Sequence, residues 1–208
     1  MTKARDLASQ ITTAALDNPG ASWVADTHIE PFSKMHMSSL GSTALTTFTN
    51  RSTILFQASK NLTISNMSIF ISTANAISAG TYARMLLYTY NPAANTATLV
   101  ARTATDLTLL SATGLKTAAL SNVGGYPTSL SIVAGTTYGF SIATDGTSTA
   151  TILGITTANL PSLFLNSYIT GGQSISGVPL SGLLPGGDSP TPANFTAATT
   201  NIPWFRLS

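Results

Sequence analysis

The residues best placed for chemistry are the Asp26-Thr27-His28-Ile29-Glu30 segment and His36, six residues after Glu30. On an extended strand Asp26, His28 and Glu30 would share one face, because side chains alternate with a period of two. Carboxylates and imidazoles together are metal ligands. The alternative is an exposed polar strand or linker that Pro31 ends. We favour the linker because the cluster is short, so we predict no metal site and no cofactor.

The sequence offers few residues for other kinds of catalysis. Acyl transfer needs a nucleophile beside a base, and His28 and His36 are the only histidines, with no G-x-S-x-G motif. Glycoside hydrolysis needs a carboxylate pair, and beyond the first thirty residues the acids are Asp106, Asp145 and Asp188, each in turn-like or loop-like sequence. We interpret these three as turn or cap residues. Phosphate-binding glycine motifs are absent from the sequence, and we predict that the chain is not an enzyme.

Aromatic side chains are the remaining candidates for ligand contact, since a tyrosine ring can pack on a sugar while its hydroxyl forms a hydrogen bond. Tyr82, Arg84, Tyr88 and Tyr90 alternate along one predicted strand, and Tyr126 and Tyr168 border turns. The candidates for glycan binding are Tyr88, Tyr90, Tyr126 and Tyr168. The favoured alternative is that the tyrosine face covers a second sheet or a subunit contact, while the opposite face fills the core with Ala83, Met85 and Leu87.

The composition argues for β structure and against several partners. Only 8% of the 208 residues are charged, and the net charge is +2, whereas soluble domains usually carry about 25% charged residues. Thr and Ser replace the charges, and Thr suits a pleated sheet. The basic residues are scattered, so nucleic acid is not expected as a partner. No cysteine is present, and no apolar run is long enough for a membrane span.

From about residue 52 onward, short β-rich runs alternate with turn chemistry. The predicted strands are 52–57, 62–71, 81–90, 97–103, 115–120, 128–133, 136–143, 150–155, 162–168 and 202–207. Ten such runs predict an all-β antiparallel sandwich of jelly-roll type, with sequential pairing as the simplest topology. The apolar parity slips between Ile64 and Met67, which predicts a bulge near Ser65 or Asn66. Turns are expected at 91–95, 124–125, 134–135 and 145–146.

Two segments differ from this pattern. Residues 1–30 hold four of the seven acids, and 3–16 have helical apolar spacing that ends at Asn18-Pro19-Gly20. We therefore predict an N-terminal arm, 1–30, ahead of a β domain, 31–208. Residues 169–194 are rich in Gly, Ser and Pro. That length exceeds an ordinary loop, so the segment is functional, packed against a neighbouring subunit, or mobile.

These residues also suggest a family. The leader Lys3-Ala4-Arg5-Asp6-Leu7-Ala8 resembles that of many bacteriophage fibre and virion surface proteins. The stretch 84–110 resembles a β-sandwich that recurs in phage head-fibre and tail proteins. Ala134-Gly135-Thr136-Thr137-Tyr138, Asn159-Leu160-Pro161-Ser162 and Pro203-Trp204-Phe205-Arg206-Leu207 are further matches. These motifs cover most of 55–208. They consist of residues typical of strands and turns and not of catalytic sites.

The resemblance implies a sandwich displayed on the surface of a virion, with a homotrimer as the usual assembly. It also implies attachment to other virion proteins through an arm whose candidate residues are Lys3, Arg5, Asp6, Leu7 and Ile11. The expected function is therefore that of a capsid decoration or short fibre of a tailed bacteriophage. The alternative is a receptor-binding module that recognises host-surface glycan. A polysaccharide depolymerase is the least favoured reading, because carboxylates are so few.

Overall fold

The structure is a computed structural model that describes residues 41–44, 50–58, 60–155, 181–185, 193–194, 196–197 and 202–208. Within these ranges the chain forms strands and turns and no helix, and all the strand pairs are antiparallel. The predicted all-β fold is confirmed. The arm of residues 1–30, the predicted strand 162–168, Asp188 and Tyr168 lie outside the described residues.

The described residues form fifteen strands. In chain order they are β1 (Gly41–Ala44), β2 (Asn50–Gln57), β3 (Leu62–Ile64), β4 (Asn66–Thr73), β5 (Ala83–Asn91), β6 (Thr96–Arg102), β7 (Gly114–Ala119), β8 (Leu130–Ile132), β9 (Thr137–Thr144), β10 (Thr151–Ile155), β11 (Ser181–Pro185), β12 (Ala193–Asn194), β13 (Thr196–Ala197), β14 (Ile202–Pro203) and β15 (Phe205–Leu207). Nine of the ten predicted runs overlap one or two of these strands.

The strands form two layers and a small third sheet. The first layer, called the smaller sheet, has the order β1-β10-β4-β15, with β14 beside β10 and β7 beside β4. The second layer has the order β12-β6-β5-β9-β2-β11-β13. Strands β3 and β8 pair with each other alone. Successive strands along the chain usually belong to different sheets, as in a sandwich whose connections cross from layer to layer.

The second layer closes on itself. Its terminal strands, β12 and β13, are separated in sequence by residue 195 alone. One residue between two strands allows a separation of at most about 7 Å from Asn194 to Thr196. Strand β12 pairs with β6 and β13 pairs with β11, and β12 also lies against β11. We call this layer the closed sheet.

The main core lies between the closed sheet and the smaller sheet. Alternate residues of β2, β5 and β9 meet alternate residues of β4 and β15, among them Phe56, Met85 and Phe140 on one side and Ile69 and Phe205 on the other. The Phe205 ring stacks on Phe140 with centroids 4.5 Å apart and lies 5.1 Å from Phe56. The prediction that Ala83, Met85 and Leu87 fill the core is confirmed.

A second core lies on the opposite face of the closed sheet. It contains Leu55, Leu86, Tyr88, Tyr90, Ala97, Leu99 and Ala143. Because the sheet is closed by so few strands, its interior has room only for its own side chains. Strand β9 places the small residues Gly139, Ser141 and Ala143 toward this interior, and a Cβ on Gly139 would lie 2.8 Å from Thr53 Cγ2. Every residue of β9 is consequently buried.

The turns lie where the sequence places them. Asn91 Oδ1 accepts hydrogen bonds from Ala93 N and Ala94 N at 3.0 and 3.3 Å, and this turn joins β5 to β6. Gly124, Gly125 and Gly135 have positive φ values of 80°, 86° and 82°. Such angles are easily adopted by glycine alone, so the turn residues determine where the strands end.

The predicted sequential pairing is wrong for most of the described strands. Strands β5 and β6 form a hairpin, but β9 inserts between β2 and β5, and β4 pairs with β7, β10 and β15. Strand β9 is buried on both faces and lies in the middle of its sheet, where its two neighbours come from distant parts of the chain. Turn residues predict where a strand ends, but they do not predict which sheet the next strand joins.

Two local predictions are refined. Ser65 N and Asn66 N both donate to Ser208 O, at 2.8 and 2.7 Å, so two residues face one as in a bulge. The irregularity is larger than a bulge, because β3 and β4 on either side of Ser65 belong to different sheets. Part of the loop predicted at 169–194 is a strand, since β11 pairs with β2 over five residues. Its leucines at 183 and 184 were too few to mark it.

Candidate functional site

Two of the tyrosines predicted to bind glycan are interior residues. The exposed fractions of Tyr88 and Tyr90 are 2% and 7%, and both lie in the core inside the closed sheet. Tyr90 donates its hydroxyl to Asn95 Oδ1 at 2.7 Å, and burial raises the pKa of Tyr90. The described conformation therefore does not support glycan contact by Tyr88 or Tyr90, because neither ring reaches the surface. The alternative, that this face covers a second sheet or a subunit contact, also differs from the structure, because the residues around Tyr88 and Tyr90 belong to their own sheet.

Tyr126 lies at the rim of the same interior, where it is half-buried. The guanidinium of Arg102 lies over its ring, with Cζ 5.1 Å from the centroid. Arg102 also donates from Nε and Nη2 to Val123 O, at 3.0 and 2.7 Å. A Cβ on Gly124 would lie 2.8 Å from Arg102 Nη2. Arg102, although only 9% exposed, thus holds the 121–126 turn against the end of β6.

A more accessible set of polar side chains lies around Tyr82, the residue that directly precedes β5. The guanidinium of Arg84 lies over the Tyr82 ring at 4.8 Å, and Arg84 Nη2 donates to Thr105 Oγ1 at 2.7 Å. Tyr82 and Arg84 are half-buried, and Thr105 is exposed. We call Tyr82, Arg84, Thr105, Thr81 and Asp145 the Tyr82 cluster.

Asp145 fixes the backbone of this cluster. Its Oδ1 accepts from Thr81 N and Tyr82 N, at 2.7 and 2.9 Å, and its Oδ2 accepts from the Thr81 hydroxyl. The hydrogen bond from the Thr81 side chain, followed by that from Tyr82 N, lowers the pKa of Asp145 to about 2. The carboxylate thereby ties the β9–β10 turn to the residues that precede β5.

The interpretation of the aspartates as turn residues is confirmed for the two that are described. Asp106 Oδ1 accepts from Thr108 N at 2.8 Å and from Thr108 Oγ1 at 2.6 Å, a local turn. Asp145 makes the contacts given above. Asp188 lies outside the described residues.

The other predicted site residues belong to parts of the chain that the structure does not describe. The arm residues Lys3, Arg5, Asp6, Leu7 and Ile11, the Asp26, His28, Glu30 and His36 group and Tyr168 all lie outside the described residues. Among the described residues, no cluster of three or more His, Asp or Glu side chains could hold a metal ion. In the same part of the chain no helix is long and apolar enough to span a membrane.

The Tyr82 cluster is the candidate site that sequence reasoning overlooked. A signal was present, because Tyr82 and Arg84 occupy the same predicted strand face as Tyr88 and Tyr90. The contribution of Asp145 carried no signal, since it lies 64 residues from Thr81 in the sequence. Chemically the cluster offers an aromatic surface, a guanidinium and hydroxyl groups, which suit a polar ligand such as a sugar.

Comparison with known proteins adds no further assignment. No protein-family model and no curated protein matches the chain at a significant level. The class that the fold defines is an antiparallel β-sandwich, one sheet of which is closed.

Proposed function

We propose that this chain is a structural protein of a tailed bacteriophage particle, a capsid decoration or short fibre that attaches by residues 1–30 and displays the β-sandwich outward. The proposal rests on the observation that the described polar side chains stabilise the fold itself. Both faces of β9 are buried, and Asp106 and Asp145 each hold a turn. A protein whose polar groups stabilise its own fold is suited to a structural role.

The resemblance to phage surface proteins is consistent with this use of residues. The stretch 84–110 contains most of β5, all of β6 and the turn after it, and 203–207 contains β15. These elements contribute Met85, Leu87 and Phe205 to the main core. A homotrimer joined through the virion would add stability by association.

The arm supplies the test of this proposal. In the full chain, Leu7→Asp combined with Ile11→Asp places two charges on the apolar stripe of the predicted helix. We expect this variant to fold but to lose incorporation into particles by about tenfold or more, because burying an unpaired carboxylate at a docking surface is costly. Copies per particle are measured by quantitative mass spectrometry.

The matched control is Thr12→Asp with Thr13→Asp, which adds the same charge to the same leader away from Leu7 and Ile11. Incorporation of the control but not of the Leu7 and Ile11 variant supports docking by the arm. Equal incorporation of both variants at the level of the unmodified chain contradicts it.

A second candidate function is recognition of host-surface glycan, which the half-buried Tyr82 cluster favours. We expect the purified chain to bind sugars on a glycan array and Tyr82→Ala to reduce binding at least tenfold, as for loss of an aromatic anchor. Val133→Ala, a change at an exposed residue of the β8–β9 turn, is the control. Absence of binding to any host envelope glycan rejects this function and leaves the structural proposal intact.

A further inference from the structure

Two arginine–tyrosine pairs lie on the same face of the closed sheet. Arg84 lies over the Tyr82 ring with Cζ 4.8 Å from the centroid, and Arg102 lies over the Tyr126 ring with Cζ at 5.1 Å. Both tyrosines pack against the interior core that contains Leu86. The two pairs therefore border one interior, although they are far apart in the sequence.

The strand register brings the two arginines close together. Leu86 of β5 is the direct partner of Arg102 of β6, and Arg84 lies two residues before Leu86 on the same strand face. Arg84 also pairs with Ala143 of β9, another residue of the interior core. Arg84 and Arg102 are thus diagonal neighbours on two antiparallel strands. Such neighbours lie about 7–8 Å apart.

Each guanidinium is oriented by a neutral acceptor as well as by its ring. Arg84 donates from Nε and Nη2 to Thr105 Oγ1, at 3.2 and 2.7 Å, and Arg102 donates from the same two atoms to Val123 O, at 3.0 and 2.7 Å. These hydrogen bonds fix both arginines and neutralise neither charge. Two cations held this close attract an anion, and the planar guanidinium matches the two oxygens of a carboxylate.

The surroundings of the two arginines also favour an anionic ligand. Tyr82, Arg84 and Tyr126 are half-buried, so a ligand can reach them. Arg102 is only 9% exposed, and a charge that is partly screened from water attracts an anion more strongly. The Asp145 carboxylate, which lies in the Tyr82 cluster, is already engaged through both oxygens by Thr81 and Tyr82.

We propose that Arg84 and Arg102, together with the rings of Tyr82 and Tyr126, form one binding site for a carboxylated sugar. The guanidinium groups bind the carboxylate, and a tyrosine ring packs on the sugar. Ligand sites commonly lie where the interior of a closed sheet meets the surface. The inference rests on the second candidate function, glycan recognition, and specifies the class of glycan.

Matched probes test whether the carboxylate is recognised. A glycan array carries hexuronate- and sialate-containing glycans, each beside its methyl ester. We expect the full chain to bind at least one acidic glycan about tenfold or more tightly than its ester, because esterification removes the charge that the arginines bind. Equal binding of every acid and its ester overturns the inference and leaves recognition of neutral glycan standing. Binding to no glycan overturns both.

Arginine variants test which residues bind the carboxylate. We expect Arg84→Gln and Arg102→Gln each to weaken binding of the acidic glycan about tenfold or more, and Arg84→Gln to leave binding of its ester within about twofold. Isothermal titration calorimetry gives the affinities. Because Arg102 also holds the 121–126 turn, urea unfolding checks that each variant is folded.

The matched control is Arg206→Gln. Arg206 is likewise half-buried and lies over an aromatic ring, with Cζ 5.4 Å from the Trp204 centroid, but it belongs to the smaller sheet. We expect this variant to bind the acidic glycan like the unmodified chain. Unchanged binding in folded Arg84→Gln, or an equal loss in Arg206→Gln, overturns the proposed site.

Discussion

At the scale of single residues, the molecule depends on a few close contacts between distant turns. Gly80 and Gly146 lie so near each other that a Cβ on Gly146 would be 2.8 Å from Gly80 Cα and 2.4 Å from a methyl carbon of Ile77. Asp145, next to Gly146, binds Thr81 and Tyr82 across the same contact. The two loops pack as one unit because the glycines allow their backbones to approach closely and the Asp145 carboxylate accepts hydrogen bonds from Thr81 and Tyr82.

The depressed pKa of Asp145 makes stability depend on pH. The folded pKa of about 2 lies below the ordinary value of 3.8, so the ionised carboxylate favours the folded state. Its contribution is fully present above about pH 4 and is lost as the pH falls toward 2. We expect Asp145→Asn to lower the urea midpoint at pH 6 and to flatten its decline between pH 4 and pH 2.

Asp106→Asn is the matched control, since it removes a carboxylate from a turn that closes only on Thr108. Urea unfolding of the three proteins at several pH values provides the comparison. If Asp145→Asn follows the pH dependence of the unmodified chain, the carboxylate does not stabilise the fold in this way.

At the scale of elements, β15 completes the main core. It pairs with β4 from Phe205 to Leu207, and both of these residues are wholly buried. Its neighbour Trp204 donates its backbone N–H to Leu153 O at 2.7 Å in β10. The segment changes partner at this tryptophan and so joins two strands of the smaller sheet.

We expect Phe205→Ala to destabilise the protein by about 3–5 kcal/mol, because it leaves a cavity between Phe56 and Phe140. Phe70→Ala is the control. Phe70 lies on the neighbouring strand β4, opposite Leu115 of β7, and is only half-buried, so its loss is expected to cost about 1–2 kcal/mol. Chemical denaturation gives both values. Similar losses for the two variants would show that the stacked rings are not the centre of the core.

At the scale of the whole molecule, the closed sheet has a core on each of its two faces. Strands β5 and β9 are shared by both cores, so their opposite faces are buried for different reasons. One face meets the smaller sheet, and the other meets the remaining strands of its own sheet. The proposed attachment through the arm leaves this body free to face outward from a particle.

Much of this fold could be predicted from local patterns. Alternation along 81–90 separated Met85 and Leu87 from Tyr88 and Tyr90, and glycines and asparagines marked the turns. The same patterns could not show that the tyrosine face is interior. The sequence pattern of an apolar face is the same whether that face contacts a second sheet, a ligand or another copy of the chain. Only part of the Tyr82 cluster could be predicted from the sequence, since Asp145 joins it from a distant position in the chain.

The sequence by itself determined most of the strands, the turns, the two faces of β5 and the scarcity of acid and base groups, because each of these depends on neighbouring residues. Only the tertiary structure decided which strands pair, that β12 and β13 close the second sheet, and that Tyr88 and Tyr90 are enclosed by it. Those features depend on contacts between residues tens of positions apart, whose free energy is set by burial in the assembled layers and not by local propensity.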